Sequence, residues 1–517
     1  MNGAFITSDD TSTSIVAGEA WGGGGTVNWS ASLQPQGYVY ILSKNNPHKH
    51  TANHLQPPRM VRRRPPLLHQ RLLPRLARPR LRPHGRKHRV HRTQPRQRHV
   101  SPLPFQFKKK NPTKPPNFSS LPKRLLEGAR KLGYAHKPVP QNTGGAQHRC
   151  GHCTFGCGSC EKQGPVISYL PDAARAGANF LEGFHAERII FSNTIGGEKV
   201  ATGLIGSWAS RDENGGVAGT PLVRRNVLLK AKRIIVSAGT MQSPLLLLRS
   251  GLTNPQIGRN LHVHPVSMLG SIHKEEISPW DGAILTSVVS EYENLDLRGH
   301  GAKLEVTNMI PSSWLIWLDW AGGLQYKLAA ARMKHMAGYI SIARDRDTGR
   351  VYPDPVDGRV RFSYTPSAFD KGNIMQGLLA LARIQYIEGA EEIFTTIPGM
   401  PSFKRSPSTS DPEPDSGDGI NDTAFQTWLK LLENHGFPTP ESGFVSAHQM
   451  GTCRMSSTQR GGVVDPTGLV WGTQGLYVAD ASVFPSASGV NPMVTNMAIA
   501  DWISRGVAEG LRRRALL

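Results

Sequence analysis

The sequence predicts a mixed α/β protein, α+β taken overall, and three observations predict it. Short apolar runs at Glu187–Phe191, Thr202–Gly206 and Val227–Ile235 have strand length and are bounded by turn residues. The last of them runs into SAGTMQSPLLLLRSGL, which reads as a strand, a tight turn and a helix. Further on, IMQGLLALARIQYIEG sustains a long helical pattern. At 517 residues the chain is long enough for two or more cores, by the usual span of about 100–200 residues per domain. No internal repeat is visible.

The elements follow in order. Residues 1–38 read as ordered protein, with Asp/Thr/Ser turns, a glycine run and the string SLQPQGYV. From 39 to 120 the text changes: within 51–100 there are 15 Lys+Arg, eight Pro and six His, and no acidic residue. Pro recurs too often for a helix, and too little apolar surface is present to offset the entropy of ordering, so disorder is expected there. Near Leu121, LLEGARKLG reads as a short amphipathic helix. ISYLPDAARAGAN is expected to be helical, followed by the three strands above; 406–421 reads as an exposed loop, and a last helix is expected from about Met493 to Ala508.

Charge narrows the function. The chain carries 61 Lys+Arg against 38 Asp+Glu, a net of +23, which points first to nucleic acid or an anionic surface. The distribution overturns that. Between Glu19 and Glu127 no acidic residue occurs and 23 basic ones do, leaving 38 of each sign elsewhere. The globular text is neutral. The basic tract reads as mis-framed coding sequence, as a disordered insert, or as a binding tail; its only aromatics over 41–117 are Phe105 and Phe107, a poor platform for base stacking. No secretory signal is expected from MNGAFITSDD, and Ala481 to Ala500 contains two Pro, one Gly and two Asn, unsuited to a lipid-facing helix.

Four of the five Cys fall in CGHCTFGCGSCEKQG, at Cys150, Cys153, Cys157 and Cys160; the fifth is Cys453. The two CxxC pairs are only three residues apart, cramped for zinc. Unliganded thiols, a metal and a disulfide all stay open.

The C-terminal strings carry a resemblance. AHQMGTCRM (447–455) and VVDPTGLVWGTQGLYVADASVFPSASGVNP (463–492) resemble the end of glucose–methanol–choline (GMC) oxidoreductases, flavoenzymes that oxidise alcohols. AKRIIVSAGTMQSPLLLLRSGL (231–252) is similar to that family's second signature, NPQIGRNLHVHP (254–265) to the segment after it, and WGGGGTVNWSASLQ (21–34) to its glycine-rich flavin loop. With the Cys run, the pattern looks most like the long-chain (fatty) alcohol oxidase branch. The resemblance implies FAD as cofactor, a long-chain alcohol and O2 as substrates, and no specific nucleic acid. It leaves membrane association, compartment (intracellular favoured, peroxisomal open) and oligomeric state undetermined.

The chemistry makes those residue types intelligible. Alcohol oxidation removes a hydroxyl proton and a hydride, so a base must stand beside the hydroxyl. His448 suits that role by its ordinary pKa near neutrality, and Asn491 can hold the oxygen without adding charge. The resemblance makes them the catalytic pair. Pro492 sets up the first turn of the last helix, whose N-terminus carries about half a positive charge. By resemblance Asp480, Ala481, Asn491 and Pro492 contact FAD, together with Gly22, Gly23, Gly24, Gly25, Thr26 and Asn28; Ser243 and Pro244 are structural.

The dinucleotide fingerprint is missing: no G-x-G-x-x-G follows a strand anywhere in the chain. The text therefore reads as an incomplete Rossmann-like FAD-binding domain in pieces (1–38, 121–265, 441–517), interrupted by the basic tract 39–120 and by a substrate domain over 266–440. The leading reading is an FAD-dependent fatty alcohol oxidase. The alternatives are a catalytically silent fragment of the same scaffold and a basic nucleic-acid-associated protein.

Overall fold

Strand Val266–Ile272 reads VSMLGSI, and all seven residues are buried. The computed structural model, which describes residues 3–18, 28–33, 119–146, 148–217, 219–406 and 420–515, shows why. This strand lies inside a ten-stranded sheet, antiparallel to Met336–Ala343 on one side. On its other side it meets Glu392–Thr395 and, at Val266, the strand Phe444–Ser446. Beyond Met336–Ala343 the sheet continues through Ala302–Val306 and Ser287–Val289 to His136–Pro138. Beyond Phe444–Ser446 it passes, by parallel pairing, to Thr13–Gly18 and its hairpin partner Gly3–Thr7.

Helix Ala368–Ile387 closes this core. Ser367 caps it, its hydroxyl accepting the Asp370 N–H at 3.2 Å. Close approach to the sheet demands Gly377: a Cβ there would lie 2.1 Å from Ser341 Oγ. Helix Ser120–Lys131 buries Leu121, Leu125 and Ala129, one stripe at i, i+4, i+8, in the same core. Tyr386 stacks on Phe425 of helix Thr423–His435 with ring centroids 4.1 Å apart.

A second core holds Ile234, Val236, Leu246, Leu247, Cys453, Leu476, Val478 and Ile503. Its frame is a parallel pair, Ile234–Val236 against Leu476–Val478, followed by helix Gly239–Arg249. Beside it Phe184–Asn193, Lys199–Ala209 and Arg224–Lys230 form an antiparallel meander. Parallel strands are normally covered on both faces. Here Ile235 is 43% exposed, and Leu228 in the meander is 54% exposed.

The mixed α/β class read from the sequence holds, and the differences are local. The strand expected over Val227–Ile235 is two strands, because 224–230 pairs antiparallel with 199–209 while 234–236 turns to a parallel partner in another sheet. The helix expected over ISYLPDAARAGAN is confined to Tyr169–Arg175 and buries none of its residues, so no packing extends it; Gly177 follows at φ +92°. The substrate domain expected over 266–440 shares its sheet with strands outside that range, 3–7, 13–18, 136–138 and 444–446. The tract 39–118 and most of the loop 406–421 lie outside the described residues. Among the described residues no helix is long and apolar enough to cross a membrane.

Candidate active site

His448 follows directly on strand Phe444–Ser446. Its backbone N–H donates to Ser446 Oγ at 3.0 Å, and that hydroxyl donates to the Val263 carbonyl, which ties the start of the loop to the large sheet. Asn491 arrives from the other end, on the loop entering helix Met493–Ala515. The fold brings Asn491 Nδ2 to 3.5 Å from His448 Nε2 and 3.4 Å from Glu305 Oε2. Two buried oxygens here have no partner among the described residues, Asn491 Oδ1 and Glu305 Oε1.

A second imidazole backs the first. His264 Nδ1 lies 3.3 Å from His448 Nδ1, with the rings perpendicular, and His264 Nε2 accepts the Gly489 N–H at 3.2 Å. Asp345 accepts the N–H groups of Val263 and His264 at 2.9 and 3.2 Å and stands 3.4 Å from His262 Nδ1. Burial opposes its charge, but His262, His264 and those N–H groups hold Asp345 at about 2. Burial pulls the His448 imidazole down to about 4, the attraction of Asp345 only partly offsetting it. His264 is held well below the usual histidine value, by burial and then by His448. Burial pushes Glu305 up to about 7, against the hydrogen bond from Asn491 and the charge of Lys303. Lys303, itself buried, donates to the Gly489 carbonyl at 2.7 Å and pairs with Glu293 at 2.6 Å.

Sequence reading missed Glu305 and His264. The signal for Glu305 was an acid beside a lysine inside the apolar run AKLEV, all five residues of which are buried. His264 sat within a recognised segment, NPQIGRNLHVHP, without a role.

The residues expected to contact the cofactor divide into three groups. Gly22, Gly23, Gly24, Gly25 and Thr26 lie outside the described residues. Asn28 meets the start of the last helix, its Nδ2 donating to Met493 Sδ at 3.0 Å, while Lys162 Nζ holds its carbonyl at 2.7 Å. The Pro492 carbonyl accepts the Asn496 N–H at 2.8 Å, opening that helix. Asp480 is employed otherwise. Its Oδ2 accepts the Gly239 N–H at 2.8 Å and the Ser243 hydroxyl at 2.5 Å, and its Oδ1 accepts the Ser482 N–H at 2.8 Å and the Ser482 hydroxyl. The Ala481 carbonyl takes the Gly451 N–H at 3.1 Å. These two residues knot the segments around the parallel pair.

The start of helix Met493–Ala515 offers polar atoms to a flavin ring: among the described residues the Thr495 hydroxyl and the amide oxygens of Asn496 and, just before the helix, Asn491 are buried without partners, and the turn presents the positive end of a 23-residue helix. The ring end of FAD fits these residues; a glycine fingerprint for its pyrophosphate is not among the 517. In the Cys run, Cys153 is buried and lies 3.7 Å from His148 Nε2, which also meets Glu161 at 2.8 Å through Nδ1. Among the described residues no three His, Cys, Asp or Glu side chains are grouped to hold a metal ion.

Family models described as GMC oxidoreductase match residues 94–266 and 335–500. The chain is 29% identical to long-chain-alcohol oxidase FAO3 of Arabidopsis thaliana over 99% of its own length and 61% of that protein. It is 31% identical to long-chain-alcohol oxidase FAO4B of the same plant, over 75% of this chain and 50% of the relative. An uncharacterized GMC-type oxidoreductase of Mycobacterium tuberculosis (strain ATCC 25618 / H37Rv) is 30% identical over 73% and 52%. The chain thus spans between half and 61% of the length of these relatives. Among solved structures, pyridoxine 4-oxidase from Mesorbium loti aligns with a TM-score of 0.49 at 17% identity, over 76% of this chain and 70% of that one. The two matched ranges include the segments 231–265 and 447–492, and the chain belongs to the GMC oxidoreductase family, whose cofactor is FAD.

Proposed function

We propose that this chain carries the reaction centre of an FAD-dependent oxidase that converts a long-chain primary alcohol to the aldehyde, with O2 reduced to H2O2. One observation supports it most: His448 and Asn491, 43 residues apart, meet at 3.5 Å beside the N-terminus of helix Met493–Ala515. The alcohol loses its hydroxyl proton and a hydride from carbon; bound FAD supplies the two-electron acceptor. Asn491 Nδ2 is placed to donate to the alcohol oxygen, and the neutral His448 imidazole is placed to take the hydroxyl proton as it leaves. With its pKa near 4, His448 is neutral at pH 7 and binds the oxygen without burying a charge. The helix N-terminus favours negative charge accumulating next to it. The likeness to long-chain-alcohol oxidases points to an apolar, long-chain substrate.

A second reading, a catalytically silent chain on this scaffold, draws on the missing fingerprint and on the exposure of Ile235 in the parallel pair. The test is anaerobic bleaching of bound flavin by a long-chain alcohol, measured beside flavin occupancy. In flavin-loaded protein His448→Ala should slow bleaching by about 10²–10⁴, the range for losing a positioned acid–base group, with occupancy little changed. Asn491→Ala should also slow it. A chain that retains no flavin would favour the silent reading; undiminished bleaching in fully occupied His448→Ala would end the assignment.

A further inference from the structure

The fold sorts the four thiols of the Cys run by access and by partner. Cys153, in the short helical turn Cys153–Phe155, is 1% exposed, and burial pushes its thiol up to about 11. His148, tied to Glu161 at 2.8 Å, stands 3.7 Å from that sulfur, so Cys153 has a base beside it but no opening to solvent. Cys150 and Cys157 are half-buried, and Cys160 is exposed. In the first CxxC pair, then, Cys150 faces an inaccessible partner. In the second, a half-buried thiol is followed by an exposed one.

A tight turn joins Cys157 to Cys160. The Cys160 N–H donates to the Cys157 carbonyl at 3.1 Å across Gly158 and Ser159. Such a turn holds its end Cα atoms within about 7 Å, and a disulfide spans about 4.4–6.8 Å between Cα atoms, so closure needs little backbone movement. The Cys157 sulfur is also prepared for attack: it accepts the Lys162 N–H at 3.3 Å and lies 3.8 Å from the Ser159 hydroxyl. Burial opposes its thiolate, but those two groups and the Lys162 ammonium outweigh burial and hold Cys157 below the usual thiol value. The run also sits beside the candidate active site. Trp29 Nε1 donates to Thr154 Oγ1 at 3.2 Å and Lys162 Nζ to the Asn28 carbonyl at 2.7 Å, and Asn28 meets Met493 at the start of the last helix.

We propose that Cys157 and Cys160 are a peroxide-reactive dithiol that closes to a reversible disulfide, with Cys157 attacking and Cys160 resolving. The Cys157 sulfur attacks one oxygen of a hydroperoxide; an S–O bond forms, the O–O bond breaks, and the departing oxygen leaves with the Cys157 proton. The Cys160 sulfur then attacks the resulting sulfenic acid; the S–S bond forms, the S–O bond breaks, and hydroxide leaves with the Cys160 proton as water. With H2O2, two thiols lose two electrons and one peroxide becomes two waters. The oxidase reading given above would make that oxidant at the neighbouring site, but the dithiol itself does not rest on it and takes added peroxide equally.

The test exposes the full chain, reduced and freed of reductant, to added H2O2 without alcohol, then blocks the remaining thiols with N-ethylmaleimide in urea. Cleavage after Arg149 and Lys162 releases all four cysteines in one peptide, CGHCTFGCGSCEK, whose fragment masses show which are joined. Wild type should carry maleimide on Cys150 and Cys153 and a bond between Cys157 and Cys160, and dithiothreitol before blocking should abolish that bond. Cys160→Ser should stop at the sulfenic acid, trapped by dimedone on Cys157, and Cys157→Ser should give neither product. If a variant does not fold, the wild-type fragment map decides by itself. A bond joining any other pair, or Cys157 and Cys160 both left as thiols, overturns the proposal. So does a wild-type Cys157 that peroxide carries past the sulfenic acid with no bond to Cys160. No turnover enters the readout, so a chain that fails to oxidise alcohol leaves it unaffected and the two readings fail separately.

Discussion

Replacing Asp480 by Ala tests whether this residue grips the cofactor or the fold. Its carboxylate is 7% exposed at residue level and accepts from four donors: the N–H of Gly239, the hydroxyl of Ser243, and both the N–H and hydroxyl of Ser482. Those donors belong to the turn after strand Ile234–Val236, to helix Gly239–Arg249 and to the turn at Ala481–Val483. The serine hydroxyls can rotate to other acceptors; the two backbone N–H groups cannot. Each buried group left unpaired costs about 1–3 kcal/mol, which sets the expected loss for Asp480→Ala at about 2–6 kcal/mol. Asp480→Asn keeps one carbonyl oxygen and should cost less than the Ala variant. Urea unfolding followed by circular dichroism, without added flavin, separates the roles. The structure expects a clear fall in the midpoint for Ala and a smaller one for Asn. An unchanged midpoint, with only FAD affinity reduced, would refute the clamp and return Asp480 to the cofactor.

Gly377→Ala should lower stability even though Ala is the better helix former by about 1 kcal/mol, because the new Cβ meets Ser341 Oγ at 2.1 Å and threatens its 2.8 Å bond to the Ile374 carbonyl. Adding Ser341→Ala should recover part of the loss, and a raised melting temperature for Gly377→Ala alone would contradict the close packing. Glu305→Gln carries a pH signature. A carboxyl raised from 4.5 to about 7 keeps its proton in the folded chain while the unfolded chain releases it, so the penalty is absent below pH 4.5, grows up to about 7 and is complete above. The Gln variant should therefore gain stability relative to wild type at pH 8, by up to about 3 kcal/mol at 1.36 kcal/mol per pKa unit, and the gain should fade towards pH 4.5. A difference independent of pH would show that Glu305 is not the buried acid described.

Much was legible from short strings because the physics that selects them is local. The turn-and-helix text SAGTMQSPLLLLR and the apolar pattern of IMQGLLALARIQYI declare their helices through periodicity, which needs no distant partner. The strings 447–455 and 463–492 likewise carried the resemblance to the family, which in turn pointed to His448 and Asn491. Pairing was not legible. The parallel contact of Ile234–Val236 with Leu476–Val478, and of Thr13–Gly18 with Phe444–Ser446, joins segments hundreds of residues apart, and a strand's own residues do not state which edge it will find. The employment of charged residues was hidden for the same reason. An acid in AKLEV could face water; it becomes a buried group with a raised pKa only when strands and the 487–491 loop close over it, 186 residues from Asn491. The bond that Asp480 accepts from the Gly239 N–H was equally hidden, since 241 residues separate the two. The sequence by itself determined the longer helices and the family. How Asp480 is bonded and how far burial raises Glu305 were decided by tertiary structure alone, since desolvation and hydrogen-bond partners are supplied by distant segments.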